Sequence, residues 1–492
     1  MRLTGVKQTR SGWVLAAVCL SVVIVSLDST VVNVALAPIS AHLDASTGEL
    51  EWITDAYLIL YAGLLLTAGA VGDRIGHKRL LLAGLGLFGA GSLLASVSDT
   101  AALLIVWRAL MGIGAAAIMP ASLAVLSSVF SAGKRAKALG VWSAAAGGGV
   151  AAGPLLGGLL IDVWSWRAVF LINVPLVALA ILADRLVLPD TARRSRRLDG
   201  FGAAFATVAI VTVIAAVIQS PSWGWYSLRL VALYLVAATA IAGFLVRERC
   251  ADEPVISLPW LRDRRLTGPC LVAGGLFFAM TGASFALMLY LQLILGYSPL
   301  LAGLAILPAV AVTTIAAPVS GALLPAVGPR TLMASGMSCL AAGLCWFATG
   351  TIHADYWLRF LPAGCLFGLG IGIALTAAND TVLRSSAGSS PGVASGIIET
   401  VEEAASALGI AVTGAVLTGR FAAGLHGVSA SIEAKANAPV AAIKLAQRIG
   451  QDGFIHVTVA FTHAVNTGLW VSAAVATVTA VAALMQPVRG RK

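Results

Sequence analysis

The chain has 492 residues, 59% of them hydrophobic and 11% charged, with a mean hydropathy of +0.92 and a formal net charge of +10. Soluble domains carry roughly 25% charged and 45–50% apolar residues, so there is too little polar surface here to coat water-soluble domains. A soluble enzyme, a secreted disulfide scaffold, a collagen-like chain and a disordered tail are excluded. The basic residues sit in short gaps between long apolar runs, which argues against nucleic acid as a partner. The six cysteines show no C-x-x-C spacing, and all but Cys250 lie inside those runs, as small buried hydrophobes rather than a disulfide or metal framework.

A spanning helix needs about 20 mostly apolar residues. The first such run lies near 13–37. It is too long for a secretory signal, carries Asp28, and meets Pro38 directly after its small-residue site at Ala35–Ala37, so it reads as an uncleaved helix. Asp28 is about eight residues from the end of this run, on the order of 12 Å deep at about 1.5 Å per residue. The second run, near 52–71, has Asp55 just past Trp52 and is followed by GAVGDRIGHKR (Gly69 to Arg79). The third, near 80–97, contains GLGLFG (Gly84 to Gly89); a G-x-G-x-x-G inside an apolar span reads as helix-packing glycines, not a dinucleotide loop. The fourth, near 102–126, holds Arg108 at a depth similar to that of Asp28. Gly133-Lys134 lacks the upstream glycine of a P-loop, so no nucleotide-binding loop is read here and any energy-driven step has to draw on an ion gradient.

Further runs follow near 138–160, 168–187, 201–219, 228–246, 268–290, 300–322, 331–350 and 357–378. Before the next run, GSSPG (Gly388 to Gly392) fits a nucleophile pattern, but Pro391 has no N–H for an oxyanion hole and no strand precedes it. The thirteenth run, near 392–417, carries Glu399, Glu402 and Glu403, whose spacings of three and four place all three carboxylates on one helical face with Ser395 and Ser406. Counted from Pro391 they are roughly 12–18 Å into the span at about 1.5 Å per residue. Three ionised glutamates there cost several kcal/mol, so at least one is expected to be protonated, a group suited to exchanging a proton for an organic cation. Neutral, hydrogen-bonded glutamates that only pack the helix are the alternative. The last run lies near 463–486, and the chain reads as an all-α multi-pass membrane protein with fourteen spans.

An ionisable group at the bilayer centre costs about 2.5–3.5 kcal/mol. Asp28, Arg108 and the shallower Asp55 read as one cluster in which Arg108 favours ionised carboxylates; a purely structural Asp28–Arg108 ion pair and an interfacial Asp55 are the alternatives. Orientation follows from lysine and arginine. With the N-terminus in the cytoplasm, the inner gaps hold Arg2, Lys7 and Arg10; Arg74, Lys78 and Arg79; Lys134, Arg135 and Lys137; and the clusters at 185–197 and 247–265. The outer gaps hold Arg167, Arg229, Arg359 and the four basic residues of segment 420–458. Both termini are therefore expected in the cytoplasm of a cell-membrane protein.

The chain also repeats itself. GALLPAVGPRT (Gly321 to Thr331) echoes GAVGDRIGHKR, matching Gly69 with Gly321, Gly76 with Gly328 and Lys78 with Arg330. Arg108, Gly112 and Gly114 are echoed by Gly364, Gly368 and Gly370 at a similar offset. The reading is a six-helix half over 1–190, two additional linker helices with basic flanks over 191–266, and a second six-helix half over 267–492 that includes the outer segment 420–458, built to rock around a midplane site.

These motifs together resemble a major facilitator superfamily transporter, specifically the 14-helix drug:proton antiporter family. LDSTVVNVALAPI (Leu27 to Ile39), with Asp28 and Asn33, resembles the family's first-helix signature. GAVGDRIGHKR resembles its cytoplasmic gating motif, with Gly69, Asp73, Arg74, Gly76 and Lys78 in place and His77 departing from it. RALMGIG (Arg108 to Gly114) resembles the fourth-helix motif, whose arginine the family links to proton coupling. GVAAGPLLGG, with Gly149, Gly153, Pro154, Gly157 and Gly158, resembles the fifth-helix motif that marks exporters, and WSWRAVFLINVP (Trp164 to Pro175) the start of the sixth helix.

VEEAASALG (Val401 to Gly409) is similar to exporters of quaternary ammonium compounds, as is the long outer segment. Those exporters can carry a tenth-helix aspartate linked to divalent cations; Thr313 stands here, so monovalent cations are expected to be favoured. The resemblance implies the major facilitator fold and proton-coupled export of hydrophobic, mainly cationic drugs or antibiotics, with no cofactor beyond the proton gradient, no metal and no enzymatic step. It implies small-molecule substrates, protons and membrane lipid as partners of a monomer. Asp28, Asp55, Arg108, Glu399, Glu402 and Glu403 are the expected proton and substrate residues; Asn33, Tyr57, Tyr61, Trp142, Phe285 and Gln292 are candidates for lining the cavity, with ordinary core packing as their alternative. Asp73 and Arg74 are expected to latch the inner gate. Export of a lipid or neutral natural product, with the glutamates serving only protons, is the rival reading. A polytopic membrane enzyme has only His426, Asp452 and His456 in its favour.

Overall fold

The computed structural model describes residues 8–130, 132–189, 200–224, 226–250, 264–352, 355–385, 391–425 and 430–485. The basic cluster at 193–197 and His426 lie outside the described residues, as do the side chains of Asp73, Lys134, Arg135, Lys137 and Ser395. Helix is the only regular structure among the described residues, as expected where every backbone N–H and C=O in lipid has to be satisfied within its own segment.

The helices are α1 (Gln8–Leu43), α2 (Thr47–Ile75), α3 (His77–Ser96), α4 (Ala101–Val129) and α5 (Ala132–Val163). The short α6 (Arg167–Leu171) and α7 (Asn173–Val187) make up the sixth expected span, followed by α8 (Gly200–Trp223) and α9 (Leu228–Cys250). Then come α10 (Arg264–Leu293), α11 (Pro299–Val327), α12 (Pro329–Phe347), α13 (Leu361–Ser385), α14 (Pro391–Gly424), α15 (Ala430–Glu433), α16 (Pro439–Ile449) and α17 (Gln451–Leu484). Eleven helical stretches among the described residues are long and apolar enough to cross a membrane. The runs expected near 52–71, 201–219 and 331–350 fall on α2, α8 and α12.

Start signals are local. Ser46 and Glu49 form a reciprocal capping box at α2, Thr100 caps α4, and Ser298 caps α11 ahead of Pro299. The turns between α2 and α3 and between α11 and α12 each pivot on one glycine, Gly76 at φ 98° and Gly328 at φ 86°, a region that favours glycine. These are the two glycines that the internal repeat pairs. The repeat recurs in packing: Gly112 of α4 abuts the Tyr57 backbone of α2, and Gly368 of α13 abuts the Ala309 backbone of α11.

Two expectations shift. α1 continues past the expected end near 37 to Leu43 with Pro38 inside the helix, so Asp28 lies fifteen residues from its end, about 22 Å rather than 12 Å at 1.5 Å per residue. The described residues of segment 420–458 are largely helical: α14 reaches Gly424 and α17 begins at Gln451, twelve residues before the expected start near 463.

Successive long helices run in alternating directions, so one end of the bundle (here the distal end) gathers the turns near 44–46, 97–100, 164–166, 294–298 and 425–450. The first half packs α1 on α5 and α7, and α2 and α3 on α4; the second packs α10 on α14 and α17, and α11 and α12 on α13. The two sets meet along α2–α14, α5–α11 and α1–α10, while α8 wedges against α2 and α14 and carries α9 on its outer side. At the distal end Gln292 Nε2 donates to the Val34 carbonyl (3.0 Å), Ser298 Oγ to Asp162 Oδ2 (2.9 Å), and the Thr47 N–H to the Asn437 carbonyl (2.8 Å). A Cβ at Gly158 would collide with the backbone of Pro299 and Leu300, so α5 and α11 approach this closely only because that position is glycine. The bundle is closed at its distal end.

Candidate functional site

The centre of the first half is built around one charge pair. Arg108 of α4 donates from Nη1 to Asp28 Oδ2 of α1 at 2.5 Å and from Nε to the Ile53 carbonyl of α2 at 3.0 Å. Its guanidinium lies 4.3 Å from the Tyr57 ring centroid, a cation–π contact. Asp28 is 0% and Arg108 1% exposed. A charge pair so buried is stable only when its remaining valences are filled, and the second carboxylate oxygen is: Asn173 of α7 donates from Nδ2 to Asp28 Oδ1 at 2.9 Å. Asn173 also donates to Ser92 Oγ (3.0 Å), and Ser92 Oγ in turn donates to the Phe170 carbonyl (2.8 Å).

Asn173 lies within the WSWRAVFLINVP run but was not singled out by the sequence; the signal available was an amide side chain near the start of the sixth expected span, inside the apolar stretch Ala168–Ala183. Replacing it, Asn173→Ala, strips one donor from a buried carboxylate and is expected to cost roughly 1–3 kcal/mol, read as a lower midpoint of thermal unfolding of the purified protein. An unchanged midpoint would show that the amide is redundant.

α2 is the spine of the site. Asp55, read from the sequence as a member of the Asp28–Arg108 cluster, is fully buried, but neither of its carboxylate oxygens has a hydrogen-bond partner among the described residues, so the network closes without it. One turn earlier stands Glu51, equally buried, which the sequence reading passed over because it lies at the edge of the apolar run. Further along α2, Tyr57 and Tyr61 have ring centroids 6.0 Å apart. The Glu403, Glu399 and Glu402 carboxylates of α14 lie within electrostatic reach of Tyr61, and Glu403 also reaches Tyr57. Thus α2 and α14, running antiparallel, place the acidic stripe of α14 beside Tyr61, one to two turns from the residue that stacks on Arg108.

The three glutamates are half-buried, and Glu402 Oε1 is enclosed without a hydrogen-bond partner among the described residues. The backbone around them is pinned: Ser406 Oγ donates to the Glu402 carbonyl and Thr281 Oγ1 of α10 to the Ser406 carbonyl, both at 2.9 Å. Among the described residues, Glu402 Oε1 is therefore an unpartnered acceptor in an acidic stripe that lies near the Tyr61 ring, a combination suited to an organic cation.

The other candidates separate. Phe285 is fully buried core, Trp142 donates from Nε1 to Ser122 Oγ at 3.0 Å, and Asn33 is half-buried on α1. Gln292 is committed to the distal clasp with Val34. Gly149, Gly153 and Gly157 lie against α1 at Ser26, Thr30 and Val31, and Gly303 of α11 lies against Pro154. Gly69 has open space around it. Lys78 donates to the carbonyls of Leu188 (2.6 Å) and Arg185 (3.2 Å), capping the C-terminus of α7, where orphan carbonyls and the helix dipole favour a cation. Arg74 is exposed, and the Asp73 side chain lies outside the described residues. Thr313 Oγ1 donates to the Ala309 and Gly368 carbonyls (both 2.9 Å), so it is spent on helix packing. His456 lies against the Gly424 carbonyl, and no group of three or more His, Cys, Asp or Glu suited to a metal ion occurs among the described residues.

Comparison with known proteins gives a consistent picture. The sequence profile of the Major Facilitator Superfamily matches residues 18–410. The chain is 34% identical over 409 residues (82% of this chain, 76% of the relative) to the tetracenomycin C resistance and export protein of Streptomyces glaucescens. It is 35% identical over 430 residues (85% of both chains) to the puromycin resistance protein pur8 of Streptomyces alboniger. To the methyl viologen resistance protein SmvA of Salmonella typhimurium it is 34% identical over 415 residues (84% and 83%). Among solved structures, a bacterial homologue of the human lysosomal transporter Spinster superposes with a TM-score of 0.71 at 16% identity, covering 98% of each chain.

Proposed function

The chain belongs to the major facilitator superfamily, and from that premise we propose that it is a proton-coupled antiporter exporting hydrophobic, mainly cationic drugs or antibiotics by alternating access. It is a membrane transporter and not an enzyme. In this reading it works as a monomer in the cell membrane, with fourteen spans arranged as halves 1–190 and 267–492 around the linker helices of 191–266. Both termini face the cytoplasm, so the distal end faces outward.

The observation that carries the reading is the course of α2, which ties the Asp28–Arg108 pair at Tyr57 to the Glu399, Glu402 and Glu403 stripe at Tyr61. Cargo enters from the cytoplasm or the inner leaflet while the distal end is closed, and a cation settles against the glutamates and the two tyrosines. When the halves rock and the distal end opens, protonation of a glutamate removes the charge that held the cation. Asp28 and Arg108 couple proton uptake to the switch. Each charge moved through 100 mV contributes about 2.3 kcal/mol, which supplies the driving force for export. Since Thr313 supplies no charge, monovalent cations are favoured over dications.

The test is a panel of ethidium, benzalkonium, methyl viologen and a neutral antibiotic, with efflux followed with and without a protonophore. Efflux of the monovalent cations is expected to collapse when the proton gradient is dissipated. Efflux that persists unchanged would remove proton coupling from the account.

A further inference from the structure

Between the distal ends of α2, α8 and α14 lies a cavity of about 240 Å³, roofed by the segment between α15 and α16. Glu49, Glu51, Ile218, Gln219, Thr418 and Asn437 line it. It is smaller than the roughly 300–1,000 Å³ of drug-sized pockets, and it has room for several waters. Its wall contains polar groups with nothing to bind: Glu51 Oε2 and Thr418 Oγ1 are enclosed without hydrogen-bond partners among the described residues. Glu49 is committed to the capping box with Ser46. Glu51 is 1% exposed and rests on Gly414 of α14, where a Cβ would collide with its carboxylate. The glycine makes the space in which this acid sits between the two halves.

The charged surroundings of Glu51 are one-sided. The cavity-lining residues of α8 (Ile218, Gln219), of α14 (Thr418) and of the outer segment (Asn437) are uncharged, as is Gly414 beneath the carboxylate. The titratable neighbours are Glu49 and Asp55, both on α2, and Asp55 follows Glu51 by four residues, on the same helical face and about 5–6 Å away between Cβ atoms. Two carboxylates this close, buried and facing no cation among the described residues, are compatible with a closed interface only when protons neutralise them. Beyond Asp55 the same helix reaches Tyr57 and, through it, Arg108 and Asp28.

We propose that this cavity is the entrance through which protons from the outer side reach Glu51, and that Glu51 hands them to Asp55 on the way to the Asp28–Arg108 pair. Parting of α2 from α14 wets both acids, and their protons pass inward, from Glu51 to Asp55 and from Asp55 to the Asp28 carboxylate, leaving the donors ionised; each return to the closed state requires that they take up protons from outside. This inference rests on the proton-coupled reading above.

The test measures ethidium efflux from cells as the external pH is varied, for the wild-type chain, Glu51→Gln, Glu51→Asp and Thr418→Val. Wild-type efflux is expected to accelerate as the outside is acidified. Glu51→Gln is expected to slow exchange by about 10²-fold, the typical worth of a positioned proton-transfer group, and to flatten the external pH profile, while Glu51→Asp restores the slope. Ethidium binding by the purified variants reports that they are folded. Should Glu51→Gln fail to fold, the near-isosteric Thr418→Val, which removes a polar atom from the entrance, is expected to lose the external pH slope on its own. A wild-type slope retained in folded Glu51→Gln, or in Thr418→Val where the former does not fold, overturns the entrance and leaves proton coupling standing. A wild-type chain with neither pH slope nor protonophore sensitivity overturns the coupled reading and the entrance with it.

Discussion

Asp28→Asn is expected to abolish exchange driven by a pH difference, lowering it by about 10²-fold or more, as for the loss of an obligatory proton carrier. The amide keeps the shape of the carboxylate and can still accept from Arg108, but it carries no charge and cannot cycle through protonation. Its effect on the fold is separable from its effect on coupling. Arg108 is 1% exposed and loses its carboxylate contact with Asp28 while keeping the Ile53 carbonyl and the Tyr57 ring. Leaving a buried charge unpaired costs about 3–5 kcal/mol, so thermal unfolding of the purified variant is expected at a clearly lower temperature. The informative comparison is Asn173→Ala, which also disturbs Asp28 but leaves the titratable group in place: it is expected to lose stability and keep pH-driven exchange. If Asp28→Asn retains exchange while losing stability, Asp28 is a structural partner of Arg108 and nothing more.

The sequence made the spans legible because the bilayer imposes a length and a polarity that leave little room for alternatives, and it made Asp28 and Arg108 conspicuous for the same reason. Pairing was legible only in part. That Arg108 reaches Asp28 follows from two opposite charges at similar depth, but that Asn173 completes the shell does not, since an amide in a sixth span signals little until α7 is packed against α1 and α3. Asp55 illustrates the converse: its charge suggested membership of the cluster, whereas helical geometry turns it along the face of α2 that carries Glu51. Glu51 was hidden by its neighbours, because an acid beside the capping-box residue Glu49 looks like ordinary helix-start chemistry until Gly414 of a distant helix is found beneath it. Tyr57 and Tyr61 are candidate cavity-lining residues in the sequence, with ordinary core packing as their alternative; their relation to Arg108 on one side and to the glutamates on the other depends on the antiparallel crossing of α2 and α14, which no local pattern contains.

The acidic stripe supports the second large effect. Glu402 Oε1 is enclosed and without a partner among the described residues, and an unsatisfied buried acceptor of this kind costs about 1–3 kcal/mol, so a bound cation recovers what the empty site forgoes. Glu402→Gln and Glu403→Gln each remove one negative charge beside Tyr61 while leaving the backbone pins from Ser406 and Thr281 untouched. Each is expected to weaken ethidium binding by about tenfold, the equivalent of about 1.4 kcal/mol, and the double variant by more than either alone. Adjacent acids share the same ion, so the two losses are not expected to add independently. A neutral antibiotic, which has no charge to lose, is expected to bind the wild type and all three variants alike. The same charge accounting gives the pH dependence its sign: protons and cation compete for these oxygens, so acidification weakens ethidium binding in the wild type, and the double glutamine variant loses most of that sensitivity. Fluorescence titration of purified protein checks both expectations. If cation affinity is the same in all four proteins, the glutamates do not hold cargo, and the rival reading, in which they carry only protons for a lipid or neutral substrate, takes its place.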